Sequence, residues 1–215
     1  MEEVYLQETS FLDYSSPLIQ DLIKEIKTIN GRKEQAIALF YKVRDGFRYD
    51  PYHLYLTNEG LKASTIMSKK RAWCVEKAIV LAAGLRGLEI PSRLGYGVVV
   101  NHIGVEKLTH YLRREEIVFH GYVDVYLDNQ WVKTTPAFDP GVCRIAGVPC
   151  LEWDGENDAM FQAYNGNQRF MEYIHFYGTF SDVPLELMIS EMKKYYPHLF
   201  ERQLVSKDFT LVFEE

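Results

Sequence analysis

The chain has 215 residues, of which 47% are hydrophobic and 25% charged, and its net charge is −6. That is enough apolar mass for one sizeable core, and without a basic stripe a nucleic-acid partner is not expected. The apolar runs are short and broken by charge, which argues against a membrane span. The acidic start MEEVYLQETS lacks the basic-then-apolar layout of a signal peptide, so a cytoplasmic protein is expected.

In chain order, PLIQDLIKEIKTI (residues 17–29) has helical apolar spacing, with Ser16 as cap and Pro17 at the first position. A second helix is predicted over residues 33–47, with Ile37, Phe40, Val43 and Phe47 on one face. Residues 50–70 read mostly as loop, with a short helix near residues 64–68. A third helix over residues 74–86 is nearly apolar all round apart from Glu76 and Lys77, the pattern of a buried central helix. Gly87 and Pro91 end it. The period then changes. SRLGYGVVV reads as a strand, and EIVFHGYVDVYL and QWVKTTP read as a hairpin about Asp128-Asn129. Residues 136–170, rich in Gly, Asp and Asn, read as an excursion around the core, and residues 184–196 as a last amphipathic helix. The terminal QLVSKDFTLVFEE would add a strand or pack on another subunit. Helices first, then an antiparallel sheet, is an α+β order.

Three cysteines are present: Cys74, Cys143 and Cys150. An odd count argues against a disulfide framework. Cys143 and Cys150 would pair in an oxidising setting and stay reduced otherwise. A C-x6-C pair without a nearby histidine is not a zinc pattern, so neither metal nor other cofactor is expected.

Cys74 opens the central helix. Free N–H groups and the positive end of the macrodipole lie there, and both favour thiolate, so its pKa is expected to be lowered. The competing reading is a small buried packing residue. A nucleophilic cysteine needs a base. Among six histidines His120 has the best setting, because alternation along a strand puts it on one face with Tyr122 and Asp124. Thr135 and Asp139, on the returning strand and its exit, are candidates to orient the imidazole.

The order Cys at a helix start, then GLEIPSRLGYG, then HGYVDVYLDNQW resembles the transglutaminase-like superfamily. YKVRDGFRYDP, KTTPAFDP, CLEWDG and FMEYIHFYGTFSDVP are similar to a compact bacterial branch of it. The resemblance implies a papain-like core in which a central helix carrying the Cys packs on an antiparallel sheet. It implies a Cys-His-Asp triad with Cys74 as nucleophile and His120 as base. The superfamily's usual Asp position holds Thr135 here, so Asp139 is the preferred third member. Trp73, Asn101 and His102 are candidate substrate-binding residues.

The expectation is thus one domain over residues 1–215: a helical part to residue 70, a catalytic core over 71–140, and a C-terminal excursion and helix. The expected activity is thioester-mediated acyl chemistry on an amide or peptide bond of a peptide or protein substrate, hydrolysis before transamidation. A catalytically silent, peptide- or protein-binding version of the fold is the alternative. A third possibility is a thiol redox role for Cys143 and Cys150.

Overall fold

The computed structural model describes residues 3–101, 106–160, 171–201 and 209–212. Its elements are α1 (Pro17–Lys24), α2 (Arg32–Gly46), β1 (Arg48–Tyr49), β2 (His53–Leu56), α3 (Ala63–Met67), β3 (Arg71–Ala72), α4 (Cys74–Gly87) and β4 (Ser92–Asn101). They continue with α5 (Glu106–Leu112), β5 (Glu116–Leu127), β6 (Gln130–Thr134), α6 (Pro140–Ala146), β7 (Met171–Phe180), α7 (Leu185–Tyr195), α8 (Pro197–Phe200) and β8 (Phe209–Val212).

The architecture is α+β, a central helix packed on an antiparallel sheet. Every residue of α4 from Cys74 to Arg86 is buried, with α1, α2, α3 and β5 packed against it. Ile79, Val80, Leu81 and Leu85 are fully covered, and each such side chain contributes on the order of 2 kcal/mol. The polar groups buried with them have partners. Glu76 Oε1 accepts from Lys69 Nζ at 2.5 Å, and Lys77 Nζ donates to the Arg44 carbonyl at 2.9 Å.

The main sheet runs β6-β5-β4-β7, antiparallel throughout. The β5–β6 turn holds Asp128 and Asn129 at φ 46° and 67°, the left-handed pair that a two-residue hairpin needs. Two small pairings stand apart: β1 with β3, parallel, and β2 with β8, antiparallel. The C-terminal segment therefore does add a strand, to β2.

Local departures from the sequence reading have identifiable causes. The first helix ends at Lys24 and tightens into a 3₁₀ turn, Ile26–Thr28. The segment 50–70 contains β2, whose four residues are too few for alternation to declare itself. The excursion contains α6, where Asp139 caps, Pro140 takes the first turn and Gly147 ends the helix at φ 68°. Pro and Gly read there as loop were capping a short helix. Strand β7 had no counterpart in the predicted elements at all.

Candidate active site

Cys74 is the first residue of α4, and β5 meets that helix end at Gly121. A Cβ at Gly121 would lie 3.0 Å from Val75 Cα and 3.2 Å from the Cys74 carbonyl oxygen, so a side chain there would push the strand off the helix. This close approach brings the Gly121 N–H to the Cys74 thiol, which also faces the N–H groups of Val75 and Cys74 itself and the Tyr49 hydroxyl. All four are donors that favour thiolate. Burial outweighs them: Cys74 is 2% exposed, and its pKa is pushed up to about 11. The lowered pKa expected from the helix start is therefore overturned, because loss of hydration costs the anion more than the helix end returns.

His120 precedes Gly121 and is 1% exposed. Phe119, just before it, has φ 61°, and the β4 register slips between Gly97 and Val99. Such a bulge re-aims side chains beside it. The imidazole Nδ1 shares a 2.8 Å hydrogen bond with the Tyr173 hydroxyl, and Nε2 is buried without a hydrogen-bond partner. Burial drops the imidazole pKa to about 3. Near neutral pH the thiol and imidazole are both uncharged, and Nε2 makes no hydrogen bond to the thiol. Tyr173 comes from β7 and lies over Gly97, where a Cβ would sit 2.6 Å from its ring. Gly97 pairs with His120 across the sheet, so a glycine in β4 makes room for the ring that holds the histidine.

The expected third member is engaged elsewhere. Asp139 Oδ1 accepts from the Gly141 N–H at 2.8 Å, capping α6, and Oδ2 accepts from the Tyr49 N–H at 2.7 Å. Thr135 Oγ1 donates to the Gly121 carbonyl at 3.0 Å. Asp124 accepts two bonds from Arg93, at 2.9 and 2.7 Å. The position beside Nδ1 that sequence reasoning gave to Asp139 belongs to Tyr173. Asp139 instead holds the strand that carries Tyr49, and Tyr49 bonds the thiol.

Trp73 caps α4 from a buried position, its N–H donating to Glu76 Oε2 at 3.3 Å, while its indole Nε1 has no partner. Asn101 ends β4 opposite Met171. The Asn101 side chain and all of His102 lie outside the described residues. Two residues that touch the site, Tyr49 and Tyr173, were missed. The aromatic, β-branched run MEYIHFYGTF was the available signal for β7. Nothing local marks Tyr49, since its role comes from a contact with a residue 90 positions away.

The model of the transglutaminase-like superfamily matches residues 20–136, more than half of the chain. The chain belongs to that superfamily. Among solved structures it is similar to a candidate cysteine protease from Cytophaga hutchinsonii, with 18% identity and a TM-score of 0.46. That match covers 61% of this chain and 40% of the other, so this chain spans well under half of its length. No curated protein matches. Among the described residues, no helix is long and apolar enough to cross a membrane.

Proposed function

We propose that this chain carries out cysteine-dependent acyl chemistry on an amide or peptide bond, with Cys74 as nucleophile and His120 as base. The observation that carries the reading is a buried imidazole nitrogen without a partner at the helix end where a thiol sits among four hydrogen-bond donors. Leaving Nε2 unsatisfied costs about 1–3 kcal/mol, and the fold retains it. In the closed form, proton transfer from Cys74 to His120 is uphill. When substrate and water enter, the burial penalty falls on both groups. The thiol pKa drops and the imidazole pKa rises, while the donors already in place favour thiolate.

The step then runs as follows. Nε2 takes the Cys74 proton and Sγ attacks the carbonyl carbon. Backbone N–H groups at the start of α4 receive the developing oxyanion. The C–N bond breaks, the amine leaves with the proton from His120, and a thioester remains. Water, activated by His120, releases the acid and restores the thiol. Hydrolysis is the proposed outcome; an amine in place of water would give transamidation. Asp139 enters as a positioning residue through Tyr49, and Tyr173 orients the imidazole. Trp73, Asn101 and His102 are proposed to line the substrate cleft, and the substrate is a peptide or protein amide.

A second reading is a silent binding domain. The closed thiol and the missing carboxylate beside Nδ1 favour it. Both readings meet one experiment: incubation with glutamine-containing and other short peptides, with and without a primary amine, followed by intact mass spectrometry. An acyl adduct on Cys74, sensitive to hydroxylamine and lost in Cys74→Ala and His120→Ala, supports the enzyme. Peptide binding that survives both substitutions, with neither adduct nor product, supports the binding domain.

A further inference from the structure

On the face of the main sheet opposite α4, aromatic rings lie beside His120 over two bare positions of β4. Gly121 faces α4, so alternation along β5 turns its neighbours His120 and Tyr122 to the other face. Their partners in β4 are glycines, Gly97 for His120 and Gly95 for Tyr122. A Cβ at Gly95 would lie 2.1 Å from the Tyr122 ring, and one at Gly97 2.6 Å from the Tyr173 ring, so both rings rest on strand backbone. Phe176 of β7 pairs with Gly97 from the far side, which puts it on the same rung of the sheet as His120. Its ring stacks on Tyr173, with centres 5.0 Å apart and planes 6° from parallel, and stands perpendicular to Tyr122 at 6.1 Å. Phe176 is nevertheless 50% exposed.

A lone exposed phenylalanine is ordinary on a protein surface. This one is backed by two rings, and the stack ends on the hydroxyl that shares a hydrogen bond with His120 Nδ1. A ring already held in place loses little freedom when a ligand covers it. Strands lie about 4.8 Å apart, so Phe176 stands roughly 10 Å from His120 across β4, the reach of about three residues of extended peptide. The rings carry no charge near neutral pH, so the group that covers them best is apolar. We propose that Phe176, backed by Tyr173 and Tyr122, is a specificity-determining residue that seats an apolar side chain of the peptide substrate two or three residues from the reacting amide. The proposal rests on the peptide reading of the site given above, and it goes further by naming what the peptide must carry and where.

The test uses short alanine peptides around a central glutamine, with one position at a time, on either side, changed to leucine or phenylalanine. Acylation of Cys74 is followed by mass spectrometry as kcat/KM, in the wild type and in Phe176→Ala. Binding of the same peptides is measured by calorimetry on Cys74→Ala, alone and combined with Phe176→Ala. At a position two or three residues from the reacting amide, leucine or phenylalanine should raise kcat/KM and affinity roughly tenfold over alanine. Phe176→Ala should cut that gain to about twofold or less. A Tyr173 loosened by the substitution would slow every peptide alike, so the ratio between peptides, not the rate, reads the contact. Phe176→Thr, whose branched side chain suits a strand, takes the place of an alanine variant that does not fold. An apolar preference seen in binding, lost with the Phe176 ring and accompanied by no acylation, keeps the seat and sinks the enzyme reading. Acylation without an apolar preference, a preference that survives loss of the ring, or neither binding nor acylation of any peptide would each overturn the proposal.

Discussion

The two ends of α4 treat buried polar groups in opposite ways. Near the C-terminal end, Arg86 is 2% exposed and fully tied. Its guanidinium donates to the carbonyls of Ser92, Gln7 and Ser181 at 2.7–3.3 Å. It staples the loop after the helix to two distant segments. At the N-terminal end, Trp73 Nε1 and His120 Nε2 are buried and unbonded, and Cys74 is held neutral among donors suited to its anion. A satisfied buried group adds to stability, whereas an unsatisfied one subtracts from it. One end of the same helix is therefore built for stability, and the other gives some up at the residues proposed above to carry the chemistry.

Mutation should separate the two ends cleanly. The largest effect belongs to Cys74→Ala: acyl-enzyme formation falls to background, a loss of roughly 10³-fold or more, with little change in the denaturation midpoint. In the resting wild type, iodoacetamide should label Cys74 slowly near neutral pH, the rate rising about tenfold per pH unit toward a pKa of about 11. A flat profile, or fast labelling below pH 7, would contradict the burial argument. Arg86→Ala comes next, at roughly 3–5 kcal/mol of stability lost, because three carbonyls lose their donor and a cavity opens. His120→Leu should do the reverse, staying within about 1 kcal/mol of wild type in urea denaturation while abolishing acylation. Should His120→Leu unfold the chain, the orphaned nitrogen would be structural after all.

Lys77, between the two ends, gives a pH-dependent effect. Burial lowers its pKa to about 8 from 10.5, against the raising influence of Asp139, Asp45 and Cys143. Below pH 8 the amine is charged in both folded and unfolded chains, and folding carries the full burial penalty. Between pH 8 and 10.5 the unfolded chain keeps a proton that the folded one has lost, so this group makes stability rise with pH. The gap between wild type and Lys77→Met should shift by about 3 kcal/mol in favour of wild type across that window. Denaturation of both proteins at pH 7.5, 9 and 10.5 measures it, and a constant gap would remove the shift.

Legibility followed the same division. The place of Cys74 at the start of α4 could be read because the apolar run AIVLAAGL, closed by a glycine and followed by a proline, has few alternatives, and the place of His120 on β5 because an aromatic, β-branched run of that length reads as a strand. Arg93 has a structural part in the same sheet: it pairs with Asp124, and its guanidinium carbon lies 4.0 Å from the Trp131 ring centre. What failed was long-range partner choice. Asp139 stands in a sequence setting that fits a triad, yet its two oxygens are used by a helix start and a strand N–H, neither of which leaves a periodic mark. The Cys74 pKa failed for a related reason. Local helix-end electrostatics are visible in sequence, but the desolvation that overrides them depends on everything packed around the thiol.

The smallest predicted effect also tests the third member most directly. Tyr173→Phe keeps the ring over Gly97 and against Phe176, whose ring centre is 5.0 Å away, and removes only the hydroxyl that holds Nδ1. A neutral hydrogen bond of this kind contributes about 0.5–1.5 kcal/mol, so acylation should slow by roughly 2–10-fold with the fold intact. Asp139→Asn should act differently. An amide keeps one acceptor but cannot take both N–H groups, so α6 and β1 should loosen, at a cost of about 1 kcal/mol of stability. If Asp139→Asn instead slows acylation a hundredfold at unchanged stability while Tyr173→Phe does nothing, the carboxylate must reach His120 during turnover. The tyrosine contact would then belong only to the resting state.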